Sequence, residues 1–314
     1  MWRYLLRRLG LIVLTVFAAS LIIFAITQLL PGDVARLIVG QFATEQAVEN
    51  VRVELGLDKP IYVQYASWLS GFVTGDWGTS LINKVPVRPL VFDRLWNSAW
   101  LAFVAFFFYV PLGIFFGVLA ALRRDKPSDS VITAFGMTFA GLPEFVTGLV
   151  LISVFAFSFT WLPANSSFAP NTSFVDAFPQ LILPAITVSL GNLGYITRMT
   201  RASTVKVLDA DYTRAAYLKG LPRHQVLLKH VLRNSLLPTV TVIFMGIGWL
   251  IGGLIVTEQV FGYPGFGRLL IGAVQKQDLP VIQATSMVIV AVFAVSNLIA
   301  DLLYVVLNPR IRLQ

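Results

Sequence analysis

The sequence has no cysteine, only two histidines and few charged residues. The absence of cysteine excludes disulfides, thiolate metal sites and cysteine nucleophiles. His224 and His230 leave little for a zinc site or a histidine-based catalytic triad, so we expect neither catalytic nor metal-binding residues. Charged residues make up 13% of the 314 residues and apolar residues 56%, whereas soluble domains carry about 25% charged residues. This composition excludes a water-soluble enzyme, a disordered chain and a disulfide scaffold, and it predicts an integral membrane protein.

Long apolar runs define the predicted membrane spans. An α-helix needs roughly 20 apolar residues to cross the hydrocarbon core of a bilayer. Six runs meet this length, at about 9–30, 98–122, 131–159, 178–196, 236–256 and 281–307. The sequence therefore predicts an all-α membrane protein with six transmembrane helices.

The distribution of lysine and arginine predicts the orientation of the spans, because these residues accumulate on the cytoplasmic side of membranes. Sixteen of the 24 lie in the N-terminal tail, in residues 123–130 and 198–233, and in the C-terminal tail. The opposite side holds eight, and six of these lie in segment 31–97 beside seven acidic residues. Both termini are therefore predicted to be cytoplasmic, which agrees with an even number of spans.

The segments between the spans divide the chain further. Segment 31–97 is too short for an independent domain, but its pattern indicates two amphipathic helices, one at about 44–55 and one beginning at Pro60. They are interpreted as interfacial helices that pack over the bundle, or as a docking surface for a soluble partner. The predicted regions are 1–30 (tail and first span), 31–97 (extracytoplasmic segment), 98–307 (membrane core with five spans, including loop 198–233) and 308–314 (cytoplasmic tail).

The longest basic loop contains two short helices joined by a turn. The stretch 211–220 (DYTRAAYLKG) is typical of a helix with Asp211 near its N-cap and Gly220 just beyond its C-terminal end. Pro222 stands at the favoured first position of a second short helix. The sequence thus predicts a helical elbow at 211–233 that lies against the cytoplasmic ends of the spans. A solvated basic loop that only obeys the orientation rule is the alternative.

The first helix of the elbow carries small side chains. Ala215 and Ala216 stand where this helix is predicted to be most exposed, and Tyr212 and Lys219 flank them. Small side chains let the backbone of another protein approach closely. The elbow is therefore a candidate contact site for a second protein.

The segment 258–280 is apolar but rich in glycine and proline. Gly262, Pro264, Gly265 and Gly267 indicate a turn-rich path, after which a helix can resume. Such an excursion between two spans suggests a re-entrant or gate-like element. A glycine-rich phosphate cradle is excluded, because the chain contains no Gly-x-x-x-x-Gly-Lys-Ser/Thr string. The chain therefore has no P-loop with which to hydrolyse ATP.

Glu144 is predicted to lie roughly midway through the third span. A charge near the bilayer centre costs about 2.5–3.5 kcal/mol on insertion scales, so its presence requires a reason. It is interpreted as lining a solute passage, where it would favour a cationic group, as pairing with a neighbouring helix or partner subunit, or as being protonated. Asp301, near the end of the sixth span, is interpreted as a structural pairing residue.

Two glycine pairs have the spacing that permits close helix crossing, Gly113-x-x-x-Gly117 and Gly248-x-x-x-Gly252. They are interpreted as packing sites within the bundle or against a second subunit.

Several stretches resemble the B-type permeases of the dipeptide, oligopeptide and nickel branch of the ABC importers, and together they extend over nearly the whole chain. The elbow resembles the cytoplasmic motif of ABC-importer permeases, in which Glu-Ala-Ala is followed by a glycine. Arg214 stands where this motif has glutamate, a departure that the peptide branch shares. The stretches are 29–33 (LLPGD), 55–60 (LGLDKP) with 62–68 (YVQYASW), 75–80 (GDWGTS), 142–148 (LPEFVTG), 214–220 (RAAYLKG), 258–270 (EQVFGYPGFGRLL) and 301–304 (DLLY) with 308–312 (NPRIR).

The resemblance implies a type I ABC importer permease fold in a multi-pass protein of the bacterial or archaeal plasma membrane. It implies a heterodimer with a second, C-type permease, surrounded by membrane lipid. Two cytoplasmic ATPase subunits would bind ATP and Mg²⁺, and an extracytoplasmic solute-binding protein would deliver the solute. The chain itself would bind no cofactor, have no enzymatic activity and bind no nucleic acid.

The resemblance also implies roles for two groups of residues. The ATPase-coupling residues would be Tyr212, Arg214, Ala215, Ala216, Lys219, Gly220, Leu221 and Pro222. The residues facing the binding protein or forming a gate would be Gly262, Tyr263, Pro264, Gly265, Gly267 and Arg268.

A secondary transporter, or another polytopic channel without ATPase partners, is the alternative function. A secondary transporter would normally show an inverted repeat, and the sequence contains no convincing one. The solute stays open, because similar permeases handle dipeptides, longer peptides, glutathione-like compounds, nickel complexes and oligosaccharides.

Overall fold

A computed structural model describes residues 2–29, 34–39, 43–54, 56–169 and 172–307 of the protein. Within these ranges the chain is helical and contains no β-strand, apart from a single β-bridge between Thr79 and Pro86. The predicted all-α class is confirmed. Most of the stretch 29–33 and the whole tail at 308–314 lie outside the described residues.

The described ranges form thirteen α-helices and two π-helical segments. Helices α3 and α4 confirm the two amphipathic helices predicted in segment 31–97. In chain order the elements are α1 (Trp2–Leu29), α2 (Val34–Val39), α3 (Glu45–Glu54), α4 (Ile61–Thr74), α5 (Val87–Leu122), α6 (Pro127–Gly141), α7 (Glu144–Leu151), a π-helical segment (Ile152–Ser158), α8 (Phe174–Leu208), α9 (Asp211–Leu218), α10 (Arg223–Gln225), a second π-helical segment (Val226–Leu232), α11 (Arg233–Val260), α12 (Phe266–Gln275) and α13 (Leu279–Leu307).

Four described helices are long and apolar enough to cross a membrane: α1, α5, α8 and α13. The bent pair made by α6 and α7 with its π-helical extension forms a fifth candidate. In chain order, α1, α5, the bent pair, α8 and α13 coincide with predicted spans one, two, three, four and six. Helix α11 has 28 residues and extends over the predicted fifth span at 236–256, but it is not among these candidates. The count of six crossings, with both termini cytoplasmic, therefore stays a prediction.

The third predicted span is broken. Helix α6 ends at Gly141 and α7 begins at Glu144, and the two parts meet at an angle of 105°. Pro143 explains the break, because a proline disfavours the helical conformation in the residue before it. Leu142 accordingly has extended backbone angles, with φ −81° and ψ 136°. The expectation of a continuous span over 131–159 is therefore wrong in its geometry.

The chain divides into two compact units, residues 1–96 with 268–294 and residues 97–267 with 295–314. The core of the second unit is apolar and is formed mainly by α5, α8 and α11. Its buried side chains include Leu101, Tyr109, Leu181, Ile196, Leu250 and Leu254.

Two glycines let α5 approach α8 closely. A Cβ on Gly113 would lie 2.7 Å from the Ile196 side chain, and one on Gly117 would lie 2.7 Å from the Thr197 carbonyl oxygen. Any larger side chain would separate the helices, so the predicted packing role of this glycine pair is confirmed. Gly252 differs, since a Cβ there would meet no described atom within 4 Å.

Helices α6 and α8 approach even more closely, at a second glycine pair. A Cβ on Gly136 would lie 3.1 Å from the Gly194 Cα, and a Cβ on Gly194 would overlap the Gly136 carbonyl. The two backbones are therefore in direct contact, and this point fixes where α6 crosses α8.

The first unit is held together by aromatic rings and a buried carboxylate. A series of contacting rings runs through Phe24, Tyr65, Trp68, Phe72, Trp77 and Phe92, with centroids 4.9–6.1 Å apart. Separately, the buried Asp278 accepts hydrogen bonds from the Ser80 hydroxyl (2.5 Å) and the Leu81 backbone N–H (3.1 Å). These contacts order the loop 75–86 between α4 and α5.

Candidate functional site: a helical elbow and a glycine-rich loop

Helix α9 is short but both of its ends are fixed. It begins after Ala210, so Asp211 is its first helical residue rather than its N-cap. The Thr213 hydroxyl donates to the Val207 carbonyl at 2.7 Å, which ties the first turn to the end of α8. Gly220 has φ +75°, a conformation that favours glycine.

The C-terminal end of α9 is a Schellman motif. The Gly220 N–H donates to the Tyr217 carbonyl at 2.9 Å, and the Leu221 N–H donates to the Ala216 carbonyl at 3.4 Å. The predicted position of Gly220 beyond the helix end is confirmed, and the motif sets a defined turn into the next element.

The inner face of α9 packs on the second half of the elbow. Ala216, Val226 and Val231 form a buried cluster, and Leu221 and Leu227 pack against it. Ala216 is only 5% exposed, so the expectation that both alanines lie on the exposed face is wrong for this residue. The reason is helical periodicity, since residues three apart share a face and Ala216 follows the buried Thr213.

The outer face of α9 is open. Ala215, Arg214 and Lys219 are exposed, Tyr212 is half exposed, and Leu218 is 83% exposed. The sequence reasoning did not single out Leu218. The sequence does indicate its exposure, because Leu218 lies three residues after Ala215 and therefore on the same outer face of the helix.

The second half of the elbow leads into the N-terminal end of α11. Pro222 is the N-cap of α10 rather than its first residue, and the chain continues through the π-helical segment Val226–Leu232 directly into α11. The expectation of a separate short helix is therefore wrong. Because no loop intervenes, the element that braces α9 is continuous with a long apolar helix.

The glycine-rich loop at 261–265 is anchored by backbone and side-chain hydrogen bonds. The Tyr263 hydroxyl donates to the Asn97 carbonyl at 2.6 Å, and the Asn97 amide donates to the Pro264 carbonyl at 2.9 Å. Burial raises the pKa of Tyr263 above its usual range, so the hydroxyl stays protonated and donates. These bonds hold the loop against the start of the second predicted span.

A buried carboxylate lies beneath the same loop. Ser98 donates to Glu258 and accepts from the Phe266 backbone N–H at 2.8 Å. Glu258 is fully buried, and a Cβ on Gly265 would overlap its carboxylate. Glycine is therefore required at position 265 because the carboxylate occupies the space of a side chain.

This packing restricts which of the predicted docking residues can meet a soluble partner. Tyr263, Pro264, Gly265 and Gly267 are buried, Gly262 is half-buried and Arg268 is exposed. In this conformation the four buried residues cannot contact a soluble protein. They instead form the interior of a rigid loop.

Glu144 lies beside the far end of α11. Its carboxylate accepts a hydrogen bond from the Thr257 hydroxyl at 3.2 Å, and α11 ends at Val260. A Cβ on Gly148, one turn further along α7, would lie 3.2 Å from the Phe261 ring. The bend at Pro143 turns α7 along the loop instead of continuing α6, and the depth of Glu144 midway through a span stays a prediction.

The described residues offer no cluster of three or more histidine, aspartate or glutamate side chains that could hold a metal ion.

Comparison with known proteins gives matches over nearly the full length. Residues 113–313 match the family model described as "Binding-protein-dependent transport system inner membrane component", and residues 1–97 match the model of its N-terminal region. The chain is 38% identical over 312 residues to the glutathione transport system permease protein GsiC of Escherichia coli K12, with 99% of each chain covered. It is 38% identical over 309 residues to the probable peptide ABC transporter permease protein y4tP of Sinorhizobium fredii, with 98% of this chain and 99% of the relative covered.

A solved structure, described as the crystal structure of an amino acid ABC transporter with histidines, is similar in fold. The TM-score is 0.50 at 19% identity, over 71% of this chain and 94% of the other. This likeness concerns the fold alone.

Proposed function

The chain belongs to the family of binding-protein-dependent transport system inner membrane components. On this basis we propose which class of solute it transports and how ATP hydrolysis in partner subunits is coupled to that transport. It is the membrane permease subunit of an ATP-driven ABC importer and not a secondary transporter. It is a multi-pass protein of the bacterial inner membrane. Permeases of this family work with separate ATPase subunits, so this chain is not itself an enzyme.

The proposed solutes are peptides or peptide-like compounds. Two relatives at 38% identity over almost the full length are named for glutathione and for peptides. Glutathione is itself a small peptide with a γ-linked glutamate, so both names describe compact zwitterions that carry amide bonds. This shared chemistry supports the proposed class.

The proposed partners are a second, C-type permease, two ATPase subunits that bind ATP and Mg²⁺, and an extracytoplasmic binding protein. The outer face of α9 supports ATPase docking, because Leu218 on this face is 83% exposed. It is an apolar side chain that the described residues leave uncovered and that a partner surface could bury. The coupling residues are those predicted from the sequence, with Ala216 and Leu221 acting from the inner face and Leu218 added on the outer face.

Stiffness is the physical requirement for coupling. A helix that is closed at its C-terminal end by Gly220 and packed on Val226 and Val231 moves as one body with the start of α11. A flexible basic loop would dissipate the same displacement. In this proposal the chain crosses the membrane six times, both termini are cytoplasmic, and α9 faces the ATPases.

The proposed extracytoplasmic side contains the loop 261–265 and the helices of segment 31–97. Because the loop is buried, the exposed Arg268 and the half-buried Gly262 are kept as candidate contacts for the binding protein. The other members of that group, Tyr263, Pro264, Gly265 and Gly267, are proposed to keep the gate rigid.

Glu144 is proposed to line the solute passage near its extracytoplasmic end. The half-buried carboxylate is held by Thr257, and an ammonium group on a peptide would compete favourably for it.

Uptake by the reconstituted complex tests the proposed solute class. With both permeases, the ATPases and the binding protein in liposomes, we expect labelled dipeptides or glutathione to accumulate only when ATP reaches the ATPases. Glu144→Gln is expected to slow lysine-containing dipeptides by about tenfold relative to neutral ones, since a lost charge-assisted hydrogen bond is worth about 1.5–3 kcal/mol.

Each part of this experiment has a result that would contradict one part of the proposal. ATP-independent accumulation would contradict the importer, and uptake of non-peptide solutes with no peptide competition would contradict the solute class. Equal effects of Glu144→Gln on cationic and neutral dipeptides would contradict the passage role while leaving the solute class intact.

A further inference from the structure

An ion pair joins the beginning of α6 to the end of α8. The Arg201 guanidinium donates from Nε and Nη2 to the two carboxylate oxygens of Asp129, each at 2.6 Å. Asp129 is 4% exposed, and its carboxylate also accepts from the Asp125 backbone N–H at 3.2 Å. A bidentate ion pair of this kind fixes both the distance and the angle between the two side chains.

The pair stands at the point where the elbow leaves α8. Arg201 lies near the C-terminal end of α8, and the chain continues from there through Asp209 into α9. Asp129 lies in the first turn of α6, which is the helix that leads to the bend at Pro143. The pair therefore links the chain segment that carries the elbow to the broken third span.

The Gly136–Gly194 contact provides a pivot for these two helices. The contact lies two helical turns, or about 10 Å, from the ion pair along each helix. Because the glycine backbones touch, α6 cannot move closer to α8 there, and rocking about the contact is the motion that keeps it intact. A force on the end of α8 that passes through Arg201 would then tilt α6 and carry the bend with it.

A second ion pair bridges the same region but is built differently. Arg124 donates to Asp209 at 2.8 Å, and these side chains are 50% and 65% exposed. Water and salt screen such a pair, and its long side chains can separate at little cost. It therefore serves as a matched control that spans the same turn without burial.

We propose that Asp129 and Arg201 are positioning residues of the transport cycle, which transmit displacement of the elbow to the broken third span and to Glu144 on it. This inference rests on the proposed coupling role of α9. The alternative is that the pair only stabilises the folded chain.

The absence of cysteine from the chain permits a direct test. In the variant Asp129→Cys/Arg201→Cys the ion pair is lost, and a short bifunctional thiol reagent then restores a covalent link between the same positions. The complex is assembled with cysteine-free partner subunits. The ratio of peptide transported to ATP hydrolysed is measured on one preparation before and after cross-linking.

Before cross-linking, we expect ATP hydrolysis to continue while the ratio falls by about tenfold, within the range of coupling effects. After cross-linking, the ratio should return towards that of the wild type. An unchanged ratio before cross-linking would contradict the proposal. Loss of transport only after cross-linking would also contradict it, because the link would then have to open during the cycle.

Two further variants separate the proposal from a loss of folding and from a failure of the proposed function. The control Arg124→Cys/Asp209→Cys is expected to keep the wild-type ratio in both states. If the first variant does not assemble, Arg201→Lys replaces it, because lysine keeps the charge but cannot form the bidentate pair. We expect a reduced ratio of peptide transported to ATP hydrolysed in this variant. A wild-type ratio would overturn the inference. If the wild-type complex itself shows no ATP-coupled uptake, the proposed function fails first.

Discussion

Ala216→Asp is expected to abolish ATP-driven uptake while the chain remains inserted in the membrane. The side chain is buried against Val226 and Val231, and placing a carboxylate there without a partner costs about 3 kcal/mol or more. Helix α9 would then leave its brace, and its movement would no longer reach α11. A misplacement of about 1 Å in a positioned group can cost about a hundredfold in rate, so we expect at least that loss of uptake.

The same substitution at Ala210 is the matched control. Ala210 is the N-cap of α9 and provides no side-chain hydrogen bond, whereas aspartate at an N-cap stabilises a helix by about 1 kcal/mol. We expect Ala210→Asp to retain uptake near the wild-type rate. Equal loss in both variants would mean that any added negative charge is harmful, and full uptake by Ala216→Asp would contradict the role of the brace.

Gly265→Ala is expected to disrupt the glycine-rich loop at 261–265. A Cβ at this position would overlap the Glu258 carboxylate, which is buried beneath the loop and bonded to Ser98. The carboxylate cannot move away without breaking its bond from Ser98, and the loop backbone cannot move away without breaking the bond from the Phe266 N–H to the Ser98 hydroxyl. Overpacking in a close-packed interior costs about 1–3 kcal/mol, and separating the buried hydrogen bonds adds to this. We expect the purified complex to lose several degrees of thermal stability and uptake to fall by at least about tenfold.

Gly272→Ala provides the comparison for this variant. A Cβ at Gly272 would meet no described atom within 4 Å, and alanine within a helix is favoured over glycine by about 0.5–1 kcal/mol. The control should therefore match or exceed the wild type in thermal stability. A Gly265→Ala complex that melts and transports as the wild type does would contradict the packing of the loop.

Short-range patterns predicted the elements well. Apolar runs identified the long helices, and the DYTRAAYLKG stretch identified α9 together with its terminating Gly220. Both signals depend on neighbours within a few turns, which the sequence displays directly. The family motifs placed the elbow in the same stretch.

Features that depend on distant residues were missed. Glu258 is separated by 160 residues from Ser98, and no local pattern connects them. The break in the third predicted span was missed because a straight-helix count ignores the turn that Pro143 imposes. The predicted exposure of Ala216 was wrong because only the packed structure shows which face of α9 packs against Val226 and Val231.

The continuity of the elbow with α11 was also not predictable from the pattern. Pro222 signals a helix start, but it does not show where that helix ends. A π-helical segment at Val226–Leu232 joins two stretches that the sequence divides. The resulting brace is longer than the predicted second short helix.

Site-specific cross-linking from α9 tests the central claim most directly. In the cysteine-free chain, Leu218→Cys places a single thiol on the outer face of α9, and Leu228→Cys places one on an exposed leucine of the bracing segment. We predict that the thiol at 218 cross-links to an ATPase subunit in the assembled complex, and that the thiol at 228 does so far less. Cross-linking from 228 but not from 218, or peptide uptake without any ATPase attached, would contradict the account.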